Sequence, residues 1–263
     1  MERTASEDAY SFLRKVVGLI AVSLPFVLVL GDAAIDRIDD DPTNSGIPLG
    51  SISIYYYERT GGWFVGSLFA LAVFFLSYDY RPDRPGNARK GRSPDNRMST
   101  FASAMAVGVA LFPTSGPEVD ETDGTLLVEV VHFVCAATLF VLLAVFSLYQ
   151  FTKTGGEVTA TTPWRERLVR IFRTAPEHED KMTPQKIRRN RLYRVCGWTI
   201  VVCIVIAAAS NVVDDRLFRG SFFWAEAVAI VAFGISWLVK GGFAGWLADP
   251  DPDPQSPTAA GPA

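Results

Sequence analysis

The sequence predicts an all-α fold: a polytopic membrane helix bundle of six transmembrane helices with both termini cytoplasmic. Three observations carry that prediction. Apolar residues gather in six runs, at 16–31, 62–78, 99–113, 126–149, 195–213 and 221–239. Although 20% of the chain is charged, only Glu129 and Glu226 carry charge inside those runs. A soluble amphipathic helix shows water a polar face at every turn, so this segregation requires a lipid environment. The cations then alternate between the connecting segments. Six lie in 79–98 and eleven in 150–194, whereas 114–125 has none. Cytoplasmic loops hold the excess of Lys and Arg, which places 1–15, 79–98, 150–194 and the C-terminus inside. The acids follow the same parity, with Asp32, Asp36, Glu58, Glu118, Asp120 and Asp214 in the segments assigned to the outside.

The bulk values average these two populations. A net charge of -3 and a pI near 5.5 give no basic surface that would make nucleic acid a partner. The three cysteines, Cys135, Cys196 and Cys203, all lie in apolar runs and read as small packing residues, not as a disulfide framework.

The first run follows Arg14 and Lys15. An acidic leading segment and the lack of an Ala-x-Ala site make it a retained span instead of a cleaved signal. In the outer segment 32–61, Asp39-Asp40-Asp41-Pro42 and Asn44-Ser45-Gly46 mark turns. Residues 52–57, ISIYYY, suit either a short strand or an interfacial aromatic belt. Gly62, Gly66 and Ala70 give the second helix a small-residue stripe, for packing within the chain or in a homo-oligomer. The third run, 99–113, reaches only about 22 Å, short of a ~30 Å core. Charge parity keeps it as a span, Pro113 ends it, and its small residues suit a central place in the bundle.

In the loop 150–194, Thr162-Pro163 opens a helix over 163–173. Trp164, Leu168, Ile171 and Phe172 form its apolar face, while Arg165, Arg167, Arg170 and Arg173 occupy the rest. Such a helix lies on the inner leaflet. Lys186, Arg188 and Arg189, followed by Arg191 and Arg194, lead into the fifth span and predict contact with anionic lipid headgroups. The six tryptophans, Trp63, Trp164, Trp198, Trp224, Trp237 and Trp246, fall near span ends, as interface anchors do. Residues 241–263 read as a disordered, acidic, Pro-rich tail.

Candidate chemistry is confined to a few intramembrane polar groups. Glu129 and His132 lie one turn apart near the outer end of the fourth span, and Glu226 sits at similar depth in the sixth. Asn211, with Asp214 beyond it, reaches the same height from the fifth. An ionisable side chain in a span must turn away from lipid, so these groups are expected to meet. They form either a hydrogen-bonded joint between helices or a ligand or proton site. A metal is not expected, because Glu-x-x-His occurs once here and di-iron bundles use it twice. No phosphate-binding glycine loop, nucleophile elbow or His-Glu-x-x-His occurs, and no cofactor is predicted. Three function classes remain: a non-enzymatic sensor, assembly or lipid-interacting bundle; a transporter or proton-coupled carrier; and a membrane-embedded enzyme with an outward-facing polar site.

The stretches ISIYYY (52–57), FVGSL (64–68), LFPT (111–114), RNRLYRVCG (189–197), FWAE (223–226) and FGISWLVKG (233–241) together resemble multi-span membrane proteins of prokaryotes whose function is unknown. The resemblance implies a helical membrane bundle over roughly 50–240 and brings no catalytic motif. The acidic outer segments and tail are similar in composition to proteins of extreme halophiles.

Overall fold

The computed structural model of the protein describes residues 5–38, 48–77, 94–114, 123–152, 183–210 and 221–247. Helices make up 89% of it, with no strand among the described residues. The helices are α1 (Ala5–Ile38), α2 (Gly61–Ser77), α3 (Pro94–Leu111), α4 (Asp123–Val145), α5 (Pro184–Ser210) and α6 (Ser221–Lys240). Four of them, α1, α4, α5 and α6, are long and apolar enough to cross a membrane. The other two are shorter, with apolar stretches at Gly61–Ser77 and Arg97–Leu111.

The helices close into a ring in chain order. Each packs on the next, and α6 returns to pack on α1. Successive helices run in opposite directions. Thr60, just ahead of α2, donates to the carbonyl of Leu28 late in α1. At the other end, Ser99 near the start of α3 donates to the carbonyl of Phe75 near the end of α2. Ser11 near the start of α1 donates to the carbonyl of Gly241, just past α6, at 2.7 Å. The start of α1 and the end of α6 therefore share one end of the bundle.

Lipid tails are as apolar as leucine, so helices in a membrane associate through close packing and hydrogen bonds. Both devices are visible. A Cβ on Gly234 would lie 2.7 Å from Val22 Cγ2 and 2.8 Å from the Gly18 carbonyl. One on Gly18 would lie 2.8 Å from the Gly234 carbonyl, so α1 and α6 cross backbone to backbone. Gly108 of α3 fits against Cys135 of α4, and Gly197 of α5 against Leu148. Ser103 ties α3 to α2 through the Ala72 carbonyl at 2.8 Å. Between the helices near the α6 terminus, Phe75, Phe146, Phe151, Phe233 and Trp237 stack at centroid distances of 5.3–6.4 Å.

Several expectations are corrected. Residues 52–56 are not a strand but a 3-10 turn, Ile52–Tyr56, with Ser51 as its cap. Trp237 is 1% exposed and belongs to the core, whereas Trp63, Trp224 and Trp246 are exposed and Trp198 partly so. The first helix extends to Ile38, past the apolar run, and carries Asp32 and Asp36 into the interior. They continue the buried line of Ala21, Leu24 and Leu28 at helical spacing. The third helix starts at Pro94, so its 18 residues reach about 27 Å. It lies between α2 and α4, while α6 is the most enclosed of the spans that are long enough to cross. Residues 241–247, assigned to the tail by composition, fold back: Gly242 takes φ 75 after α6, and Leu247 is buried.

The four-residue step of Gly62, Gly66 and Ala70 lies outside the α1/α6 and α3/α4 crossings. Among the described residues nothing approaches a Cβ at Gly62 or Gly66 within 4 Å. That stripe is not a joint among the described residues. The segment 163–173 lies outside the described residues, as do Asn211 and Asp214.

Candidate functional site

Two polar assemblies occupy opposite ends of the ring. At the end where α1 finishes and α6 begins, the 3-10 turn lies across the helices and is fastened to four of them. Glu226 of α6, 8% exposed, receives two donors on one oxygen. Ser51 Oγ donates to its Oε2 at 2.8 Å, and the Ile52 N–H donates to the same atom at 2.7 Å. Ser51 Oγ in turn accepts from the Ser53 N–H at 3.1 Å. The carboxylate thus satisfies the first amide of a helical turn that has no partner within it, and its charge suits that N-terminus.

Ser53 Oγ lies 2.9 Å from Nε2 of His132 on α4, and His132 Nδ1 lies 2.6 Å from the Phe112 carbonyl at the end of α3. A carbonyl can only accept, so Nδ1 carries the hydrogen. In the neutral ring Nε2 then accepts from the Ser53 hydroxyl. Tyr57 adds a bond from its hydroxyl to the Thr114 carbonyl at 2.6 Å, and Thr60 adds the bond to α1. Tyr55 is 1% exposed, stacks 6.2 Å from Phe223 of α6 and accepts from the Leu49 N–H at 3.4 Å. Burial pushes the Tyr55 phenol above its ordinary value.

The structure therefore links Glu226 and His132 through Ser51–Ser53. Glu129, half-buried one turn before His132, is not among the residues hydrogen-bonded to Ser51 or Ser53. The serines were missed in the sequence because the segment around them read as strand or belt. Their signal was the Ser-x-Ser spacing beside a turn, which suits a cap.

The same end holds a charged cluster. Arg59 Nε lies 3.5 Å from Asp36 Oδ1. Partial burial, then repulsion from Asp32 and Asp36, pushes the Glu58 carboxyl above its ordinary value. A carboxyl raised in the folded state loses its proton at lower pH in the unfolded chain. Stability therefore falls as pH rises from the ordinary carboxylate value through the raised one, and stays lower above it. Glu58→Gln should stabilise the protein at pH 7 by about 0.5 kcal/mol at most, since the site is largely solvated. Thermal unfolding at pH 7 and pH 4 checks this: the gain should vanish at pH 4, and a gain equal at both would show that charge is not its source.

At the opposite end basic residues predominate, although Glu7 and Asp8 of α1 and Asp95 of α3 lie there too. Arg14, Lys15, Arg97, Lys186, Arg188, Arg189, Arg191, Arg194 and Lys240 lie there. Asp32, Asp36, Glu58, Glu129 and Glu226 lie in the other half. Arg189 Nη1 donates to the Leu247 carbonyl at 3.0 Å, and Lys240 Nζ lies 5.8 Å from the Phe151 ring centroid. Cations near the last turn of α6 complement its exposed carbonyls. Lys186, Arg188 and Arg189 lie in the first turns of α5. Arg165, Arg167, Arg170 and Arg173 lie outside the described residues.

Beside Glu226 and His132, no group of three or more His, Cys, Asp or Glu able to hold a metal occurs among the described residues. The free thiols Cys196 and Cys203 are buried. Comparison with protein families, with curated proteins and with solved structures gave no match.

Proposed function

We propose that the protein is a multi-pass cell-membrane protein of six spans, non-enzymatic, whose basic end faces the cytoplasm and gathers anionic lipid at the inner leaflet. The observation that carries this reading is the uneven division of charge: nine described cations lie at one end, while Asp32, Asp36, Glu58, Glu129 and Glu226 lie in the other half with only Arg37 and Arg59 as described cations. Juxtamembrane Lys and Arg are retained on the cytoplasmic side and attract anionic headgroups, each by about 1 kcal/mol near the surface. The alternating helix directions support the even number of crossings, and a 17-residue α2 spans about 25 Å, a mismatch the bilayer accommodates at modest cost. The outward Gly62, Gly66 and Ala70 stripe supports contact with a second copy.

Reporter fusions test the topology. Those at Asn44, Asp120 and Asp215 should read outside, and those at Asn87, Thr183 and Ala260 inside. An inside signal at Asp120 would remove α3 from the spans, and an outside signal at Thr183 would invert the basic end.

A second reading, a proton-coupled carrier, is favoured by one observation: a buried carboxylate and a buried imidazole joined through Ser51–Ser53 within apolar helices. Under it, proteoliposomes would show proton flux that Glu226→Gln abolishes. Under the first reading they would show none.

A further inference from the structure

Between α5 and α6 an elongated groove of about 1010 Å³ opens on the outer surface of the ring. Its walls are apolar: Val195, Trp198, Val202 and Ile206 from α5 meet Trp224 and Val228 from α6. Val195, Val202 and Trp224 are 61%, 54% and 58% exposed, so no part of the described chain covers them. At one end only, the lining turns basic, with Arg191 and Arg194 beside Asn190, and no acid among the described residues lines the groove. From Val195 to Ile206 the α5 wall rises about 16 Å. One leaflet of a ~30 Å core is about 15 Å deep.

We infer that this groove is a binding site for one anionic phospholipid of the inner leaflet, its phosphate held by Arg191 and Arg194 and an acyl chain lying along the Val195–Ile206 wall toward Trp224. The inference rests on the topology proposed above. The occupant follows from charge and length together. A guanidinium pair matches a phosphodiester in geometry and charge. The apolar trough begins one residue past the second guanidinium, as a lipid's tail begins beyond its headgroup. A second protein copy would have to bring an apolar ridge and an anion at that same end. A free phosphate would leave the trough empty. The site differs from general attraction to the basic end, because it names two arginines out of nine cations and requires the trough as well.

Trp198 and Trp224 line the groove and report on its contents. The full-length protein is reconstituted in phosphatidylcholine vesicles carrying either brominated phosphatidylglycerol or brominated phosphatidylcholine. Subtracting the signal of a W198F/W224F variant isolates the two indoles. Quenching should show an apparent preference of about thirtyfold for phosphatidylglycerol, as two cations at about 1 kcal/mol each near the surface provide. R191Q/R194Q should reduce the preference to near unity with the unfolding temperature unchanged. If that variant does not fold, V202W serves instead: it keeps both arginines, fills the trough, and should lower quenching by both lipids. Equal quenching by the two lipids in the wild type, or a preference that survives R191Q/R194Q, overturns the site. Weak quenching by both lipids in the wild type also overturns it and indicates a protein occupant. Reporter fusions inside at Thr183 together with a failed quenching test would remove the groove site alone. An outside signal at Thr183 would remove the topology beneath it.

Discussion

Gly234→Leu should lower the stability of the bundle by about 3 kcal/mol or more, because the added side chain meets backbone and not a movable side-chain end. A Cβ at this position would already lie 2.8 Å from the Gly18 carbonyl and 2.9 Å from the Val22 nitrogen. The α1/α6 contact closes the ring, and it is reciprocal, since Gly18 meets the Gly234 carbonyl at the same distance. Separating the helices to admit a leucine would therefore loosen the whole closure, including the Ser11 bond to Gly241. Thermal unfolding in detergent should show a midpoint lower by about 6–12 °C, the shift that such a loss produces in a chain of this size. Gly66→Leu is the matched control. No described residue lies within 4 Å of a Cβ there, so its effect should stay within about 0.5 kcal/mol. Equal losses in the two variants would mean that the crossing of α1 and α6 is not a principal joint.

The same pair of glycines shows what sequence could and could not reveal. Six apolar runs and two nearly opposite charge populations made the helical class and the helix positions legible, because lipid forbids exposed charge and unpaired backbone within a span. The four-residue step at Gly62 and Gly66 was visible, but it did not point to the α1/α6 crossing, since spacing along one helix does not tell which face meets a neighbour. Gly18 and Gly234 lie in different helices, and only their pairing makes either meaningful. Trp237 misled for a related reason: depth along a span was readable, but direction around the helix was not. At Asp32 and Asp36 the boundary itself was hidden. Acidic residues end an apolar run in a hydropathy reading, yet a helix continues wherever its acids find a polar interior, and here Arg59 meets Asp36. The polar slab around Glu226 and His132 was legible from depth alone. What joins them was not, because Ser51 and Ser53 arrive from a loop, and the conformation of a loop is set by the helices it lies upon.

Glu226→Ala should release the 3-10 turn from the bundle. Both donors now fall on one oxygen, Oε2, so the substitution leaves the Ile52 N–H and the Ser51 hydroxyl without their acceptor. Ile52 is 2% exposed, and an amide buried without a partner costs about 1–3 kcal/mol. With the hydroxyl added, the expected loss is about 3 kcal/mol. Glu226→Gln separates charge from hydrogen bonding. Its single carbonyl oxygen can take the place of Oε2 and accept from both donors, so the loss should be about 1 kcal/mol. Backbone hydrogen exchange gives the local readout. In Glu226→Ala, amides of 51–57 should exchange faster, because Ser51 loses its anchor and the Ser53 contact with His132 loses its support. Amides around the Ser103 bond to the Ala72 carbonyl, between α2 and α3, should keep their protection. Glu226→Gln should resemble the wild type in both regions. Unaltered protection over 51–57 in Glu226→Ala would show that the turn is held by Tyr55, Tyr57 and Thr60 without the carboxylate. Equal loss of protection in both regions would show that Glu226 supports the ring as a whole instead of fastening one segment across its end.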